Sequence, residues 1–322
     1  MERRPVVRKH YLVLAHDQPG HVRRLVERLD DGESTFWLHL DARSPLTAWD
    51  AVVASSDVRL VEPRATCLWG TWSMVEPQVN QLRACLASDD PGYVVALSGQ
   101  SYPVKSTAYI DRFLTEHAGA VHMDLWRLED RWSDNHRDRL DYFCIPMSER
   151  KGDLLLLRPR REMNARELVG WTRRLIREHG LRRAVEVLRI IGEPRPHVKD
   201  RIAGGSQWWA MSWETALAVM AYRDEHPELE EFMRWSQYPD ESYFQSLAVG
   251  VDPTLWEHVG PTLTHIDWTE GDWDLPRAMT PRDVPALVTL PDHMLFARKF
   301  LSPGGDDAVA ALDEALASGG AA

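Results

Sequence analysis

The chain has 322 residues, 44% of them apolar and 27% charged, with a formal net charge of −11 at pH 7. That length supports a sizeable buried core, and the composition excludes a disordered chain. The acidic balance argues against nucleic-acid binding, and no apolar run reaches the length of a membrane span.

The first third alternates strand-like and helix-like segments. Tyr11–Ala15 is a short apolar run, too short for a signal-peptide core, and predicts the first strand. It ends at His16-Asp17. Pro19-Gly20 opens a helix with Val22, Leu25, Val26 and Leu29 on one face. Phe36–Leu40 predicts a second strand, ending at Asp41, and Thr66–Trp69 a third. Val75–Leu86 follows as a helix. Tyr93–Leu97, fully apolar, predicts a central strand, ending at Ser98-Gly99-Gln100, and Ser106 predicts a helix cap. The middle, from Met147 to Arg201, reads as mostly helical, with ten arginines between Arg158 and Arg189. Gly204-Gly205-Ser206 leads into an aromatic strand, Gln207–Met211, and Ser212 caps a helix to about Arg223. The tail from Ser302 is small, polar and alanine-rich, which predicts fraying.

This order predicts an α/β fold with a largely parallel central sheet flanked by helices. Such sheets bind ligands beyond the carboxyl ends of their strands, so His16, Asp41, Gly99 and Gln100 are expected around one crevice. The expected organisation is one catalytic domain over residues 1–301, with an arginine-rich helical insertion at about 150–200 and a flexible tail at 302–322. The three cysteines, Cys67, Cys85 and Cys144, show neither metal spacing nor an even disulfide framework, predicting a reducing, cytoplasmic setting. No integral membrane association is expected. The arginine-rich stretch reads either as solvated helices or as a face for an anionic acceptor or a membrane surface.

Asp240 in Pro239-Asp240-Glu241 reads as an N-cap, with Glu241 in the first helical turn. A carboxylate there serves as a general base toward a hydroxyl, although a good helix start explains the same residues. Arg277 and Lys299 are positive charges suited to a leaving diphosphate, or plain surface charge. Asp272-Trp273-Asp274 has the ligand type of a magnesium or manganese site, but lies late in the chain in a loop-like stretch. No zinc spacing, phosphate-binding loop or Gly-x-Ser-x-Gly elbow is present. Tryptophans in the last third, Trp208 and Trp268 among them, suit sugar faces, though most such residues are core.

Taken in order, these motifs resemble the core-2/I-branching β-1,6-N-acetylglucosaminyltransferases, the family that also holds peptide O-xylosyltransferase. The matching residues are Tyr11–His16, His39-Leu40-Asp41, Leu97–Lys105, Gly205–Trp209, Pro239-Asp240-Glu241, Ile266-Asp267-Trp268, Pro276-Arg277 and Phe296–Phe300, spanning roughly residues 8 to 301. The resemblance implies a GT-A-like fold and an inverting, metal-independent transfer from a UDP-sugar to a glycan or other hydroxyl-bearing acceptor, with no cofactor. It implies that Glu241 is the catalytic base. His16, Asp41, Gly99, Gln100, Arg277 and Lys299 would bind the donor, with Asp41 at uracil. Trp208, Trp268 and Arg139 would lie on the acceptor side. The absence of an anchor and the few cysteines resemble the bacterial, cytoplasmic branch. A xylosyltransferase-like enzyme using UDP-xylose, a metal-dependent enzyme using Asp272 and Asp274, and an inactive carbohydrate-binding scaffold are the alternatives.

Overall fold

The structure, a computed structural model, describes residues 7–55, 57–131, 136–271 and 274–318. Its eleven described strands are β1 (Lys9–Ala15), β2 (Ser34–Leu40), β3 (Val58–Leu60), β4 (Tyr93–Ser98), β5 (Ser101–Pro103), β6 (His122–Met123), β7 (Phe143–Pro146), β8 (Leu154–Leu157), β9 (Trp209–Ser212), β10 (Thr264–Ile266) and β11 (Phe296–Arg298). The main sheet has the order β3-β2-β1-β4-β9-β6. β1 to β4 run parallel, while β9 is antiparallel to both β4 and β6.

Both faces of this sheet are covered at its centre, so its central strands are mostly apolar, and successive side chains enter different cores. Tyr11, Val13 and Ala15 of β1 join Tyr93, Val95 and Leu97 of β4 on one side; Leu12, Val94 and Ala96 face the other. Each of the valine and leucine side chains contributes roughly 1.5–3 kcal/mol on burial. On the first side lies the helix Pro19–Leu29, which buries Val22, Leu25, Val26 and Leu29. On the second lie the helices Glu76–Leu86, Trp213–Glu225 and Tyr243–Val251. The predicted caps form: Ser106 accepts from the Tyr109 N–H at 3.2 Å and Ser212 from that of Thr215 at 3.1 Å.

Three expectations need correction. Thr66–Trp69 is not a strand; the edge strand is Val58–Leu60, and the later stretch runs irregularly past the sheet. The 147–201 region is not simply helical. Leu154–Leu157 pairs with Phe143–Pro146 as a hairpin, on which the helix Ala165–Ile190 packs Leu175, Ala184, Val187 and Ile190. The tail is not frayed over 304–317, where a helix sinks Ala308, Val309, Leu312 and Leu316 into the first core. That helix is tied by Asp313 to the Tyr102 hydroxyl at 3.0 Å.

A small second sheet, β10-β11-β5, stands beside the main one. β11 runs antiparallel to β5, the continuation of β4, which sets the segment after β11 next to the β4 strand end. The Phe300 N–H donates to the Gln100 carbonyl at 2.9 Å.

Candidate active site

Glu241 closes a three-residue 3-10 turn, Pro239–Glu241, ahead of the helix Tyr243–Val251 rather than within its first turn. Its carbonyl accepts from the Gly205 N–H at 2.7 Å. Gly205 is required there: a Cβ would lie 2.1 Å from the Asp124 carbonyl and 2.6 Å from the Gln245 amide nitrogen. Gln245 in turn donates to the Ser206 carbonyl at 2.6 Å. The Gly-Ser-Gln-Trp-Trp motif therefore holds the turn that carries Glu241 against the sheet. The Glu241 side chain is 31% exposed, and its Oε2 accepts from Arg139 Nη1 at 2.7 Å. The Arg139 guanidinium also lies over the Tyr238 ring, 4.8 Å from its centre, and Tyr238 meets Trp69 edge-on at 4.8 Å.

Asp240 makes no capping bond. It is buried, and its Oδ1 has no hydrogen-bond partner. Burial, then the neighbouring Glu241 charge, pushes its carboxyl well above the usual range. Arg298, on the last residue of β11, lies close enough to Asp240 for their charges to interact. Burial lowers its guanidinium to about 10, its Nε is unpartnered, and it lies 4.9 Å from the ring centre of the buried Trp208. Lys299 follows, across a cis peptide bond. Its ammonium is half-buried, and no described residue offers it a hydrogen bond or ion pair. Burial lowers its pKa, and the nearby charges of Lys151 and Arg298 lower it further. The neighbours Asp240 and Arg298, one buried and the other with its Nε enclosed, thus bring Glu241 and Lys299 into one neighbourhood.

At the strand ends, Asp41 is buried and already committed. Burial would raise its carboxyl, but the Arg43 side chain and the N–H groups of Arg43 and Cys67, all at 2.9 Å, hold it down to about 2. His16 stands beside it, largely exposed, with its ring 3.5 Å from Asp17. Gly99 passes so near β1 that a Cβ would lie 2.9 Å from that of Ala15. The Gln100 side chain lies 3.4 Å from Asp17.

Arg277 is not a free surface charge. It bonds Asp283 at 2.7 Å and Asp267 at 2.6 Å, and both raise its pKa further. Trp268 lies on the surface, 53% exposed. Asp272 and Trp273 of the Asp-x-Asp lie outside the described residues. Two surface concavities, about 300 and 460 Å³, flank the Asp141–Lys199 ion pair, and neither is lined by Glu241, Lys299 or Asp41.

Sequence reasoning passed over Asp240 as a cap and Arg298 as a flank of Lys299. It also passed over Lys151, whose ammonium lies 5.4 Å from the Trp69 ring centre. The charged doublets Asp240-Glu241 and Arg298-Lys299 were the available signal: where two charges adjoin and one is buried, the other is held in place.

The family model of the core-2/I-branching enzymes matches residues 10–153 and 177–288, most of the chain. The chain belongs to the core-2/I-branching enzyme family. This is a glycosyltransferase family, and the mixed α/β architecture is compatible with its GT-A-like fold. The match includes His16, Asp41, Gly99, Gln100, Arg139, Trp208, Glu241, Trp268 and Arg277, and ends before Lys299. No curated protein matches the chain. Among the described residues, no helix is long and apolar enough to cross a membrane.

Proposed function

We propose that this family member transfers N-acetylglucosamine from its UDP-sugar to an acceptor hydroxyl, with inversion and without a metal ion. Glu241 is the general base. It takes the hydroxyl proton as the acceptor oxygen bonds to the anomeric carbon and the bond to the UDP oxygen breaks on the opposite side. One displacement from behind inverts the centre. The observation that carries this reading is the juxtaposition of the Asp240-Glu241 and Arg298-Lys299 doublets, a base beside a cluster of like charges.

Lys151 and Arg298 both disfavour the charged form of Lys299, Asp274 offsets them in part, and a diphosphate relieves that repulsion. Arg277, between two carboxylates, has less charge to offer, so Lys299 carries the larger share. Asp41 and His16 lie at the uracil end with Gly99 and Gln100. Trp208, Trp268 and Arg139 lie on the side of the glycan acceptor, Arg139 also orienting Glu241.

The test is thermal stabilisation by UDP and a panel of UDP-sugars, with and without EDTA. UDP raises the melting temperature equally in both conditions, and Lys299→Gln removes most of the rise. A shift that needs added manganese, or one unchanged in Lys299→Gln, overturns the assignment. A response to UDP-xylose instead of UDP-N-acetylglucosamine changes the sugar and leaves the site standing.

A further inference from the structure

The helix Ala165–Ile190 turns a broad side away from the fold. Four of the nine large apolar side chains exposed among the described residues lie on it: Val169, Ile176, Leu181 and Val185. The last two are 64 and 58% exposed. Isolated exposed apolar residues are ordinary, but this concentration on one element is not. At Gly180 the backbone takes φ 82°, so the helix bends and presents two short apolar ridges rather than one straight stripe.

The charges beside these ridges are uneven. Arg174 and Arg177 pair with Glu178, Arg183 with Glu186, and Arg189 with Glu193. Arg166, Arg173 and Arg182 have no carboxylate partner among the described residues. A chain of net charge −11 thus keeps an unneutralised basic patch where its apolar side chains are most exposed. The family model breaks off at residue 153 and resumes at 177, so β8 and the first half of this helix lie outside what the match covers.

We infer that this helix is a docking surface for an anionic lipid bilayer. Its apolar ridges enter the headgroup boundary and its unpaired arginines meet lipid phosphates. A soluble polyanion would use the arginines and leave the ridges idle. A two-fold contact with a second copy would set the same arginines against each other.

The test is co-sedimentation of the full chain with vesicles of phosphatidylcholine plus phosphatidylglycerol, and with phosphatidylcholine alone. The protein sediments with the first and not the second, and added salt releases it. The triple variant R166Q/R173Q/R182Q binds about a hundredfold more weakly, at about fivefold per arginine. L181S/V185S also loses binding while keeping every charge. Both variants keep the parental melting temperature and transfer to a soluble acceptor, because the substituted side chains lie outside the cores and the site. Three results would overturn the inference: no binding to anionic vesicles, parental binding by the triple variant, or a solution dimer that L181S/V185S dissociates. The last would assign the face to a second copy of the chain.

Discussion

Two regions of the molecule handle buried charge in opposite ways. At the end of β2, Asp41 accepts four hydrogen bonds from Arg43 and Cys67, and its carboxylate is fully occupied before any ligand arrives. Where residues 239–241 meet β11, Asp240 Oδ1 and Arg298 Nε are buried without partners, and Lys299 has the cations Lys151 and Arg298 near it, offset in part by Asp274. A filled site is a frame that stabilises the fold. An unfilled one costs stability and is kept where something else completes it.

The largest effect that could break this contrast is at Glu241. Glu241→Gln should lower turnover by about 10²–10⁴-fold, the usual contribution of a positioned general base, with UDP stabilisation retained. Near-parental turnover would remove Glu241 from the chemistry and leave the contrast without a functional side.

The strand that leads to Asp41 should reveal itself in acid. His39, fully buried on β2, accepts from the Ala65 N–H at 2.9 Å, and burial lowers its imidazole pKa from 6.5 to about 4. The folded state therefore keeps it neutral while the unfolded chain gains a proton as the pH falls below 6.5. Its stabilising contribution is complete above pH 6.5 and declines toward pH 4, by ~3 kcal/mol in all. His39→Gln keeps an acceptor and does not titrate, so its melting temperature should vary less over that window. An unchanged slope would mean that other groups set the acid limb.

A smaller effect sharpens the comparison. Asp41→Asn should cost about 1–2 kcal/mol at neutral pH, because the amide loses the charge-assisted bonds to the partly exposed Arg43. That cost should vanish as the pH falls toward about 2, where Asp41 itself protonates. Denaturant titration at neutral and low pH reads both. If the variant is as stable as its parent, Asp41 is free to serve a ligand, and the two regions are alike.

The parallel strands were legible because burial on both faces forces continuous apolar runs: Tyr11–Ala15 and Tyr93–Leu97 allow little else. Val58–Leu60 escaped because a three-residue edge strand carrying Arg59 has no pattern to read, while Thr66–Trp69 looked more apolar. The terminal helix escaped for a different reason: its small residues resemble a loop, although Ala308, Val309, Leu312 and Leu316 recur at helical spacing. At the site, the motif order pointed to Glu241 and Lys299. It could not show that Arg277 is held by Asp267 and Asp283, or that Asp240 and the Arg298 Nε are buried. Letters show charge, and only packing shows which charges are removed from water.

The terminal helix also bears on how the protein is made. Asp313 grips Tyr102 across 211 residues, and the same helix completes the apolar layer over the first strands. Until the ribosome has extended the chain past that helix, the layer stays open to water and to other chains. Packing of that layer is therefore complete only once residues 304–317 have been made, and until then it exposes apolar surface of the kind that chaperones shield.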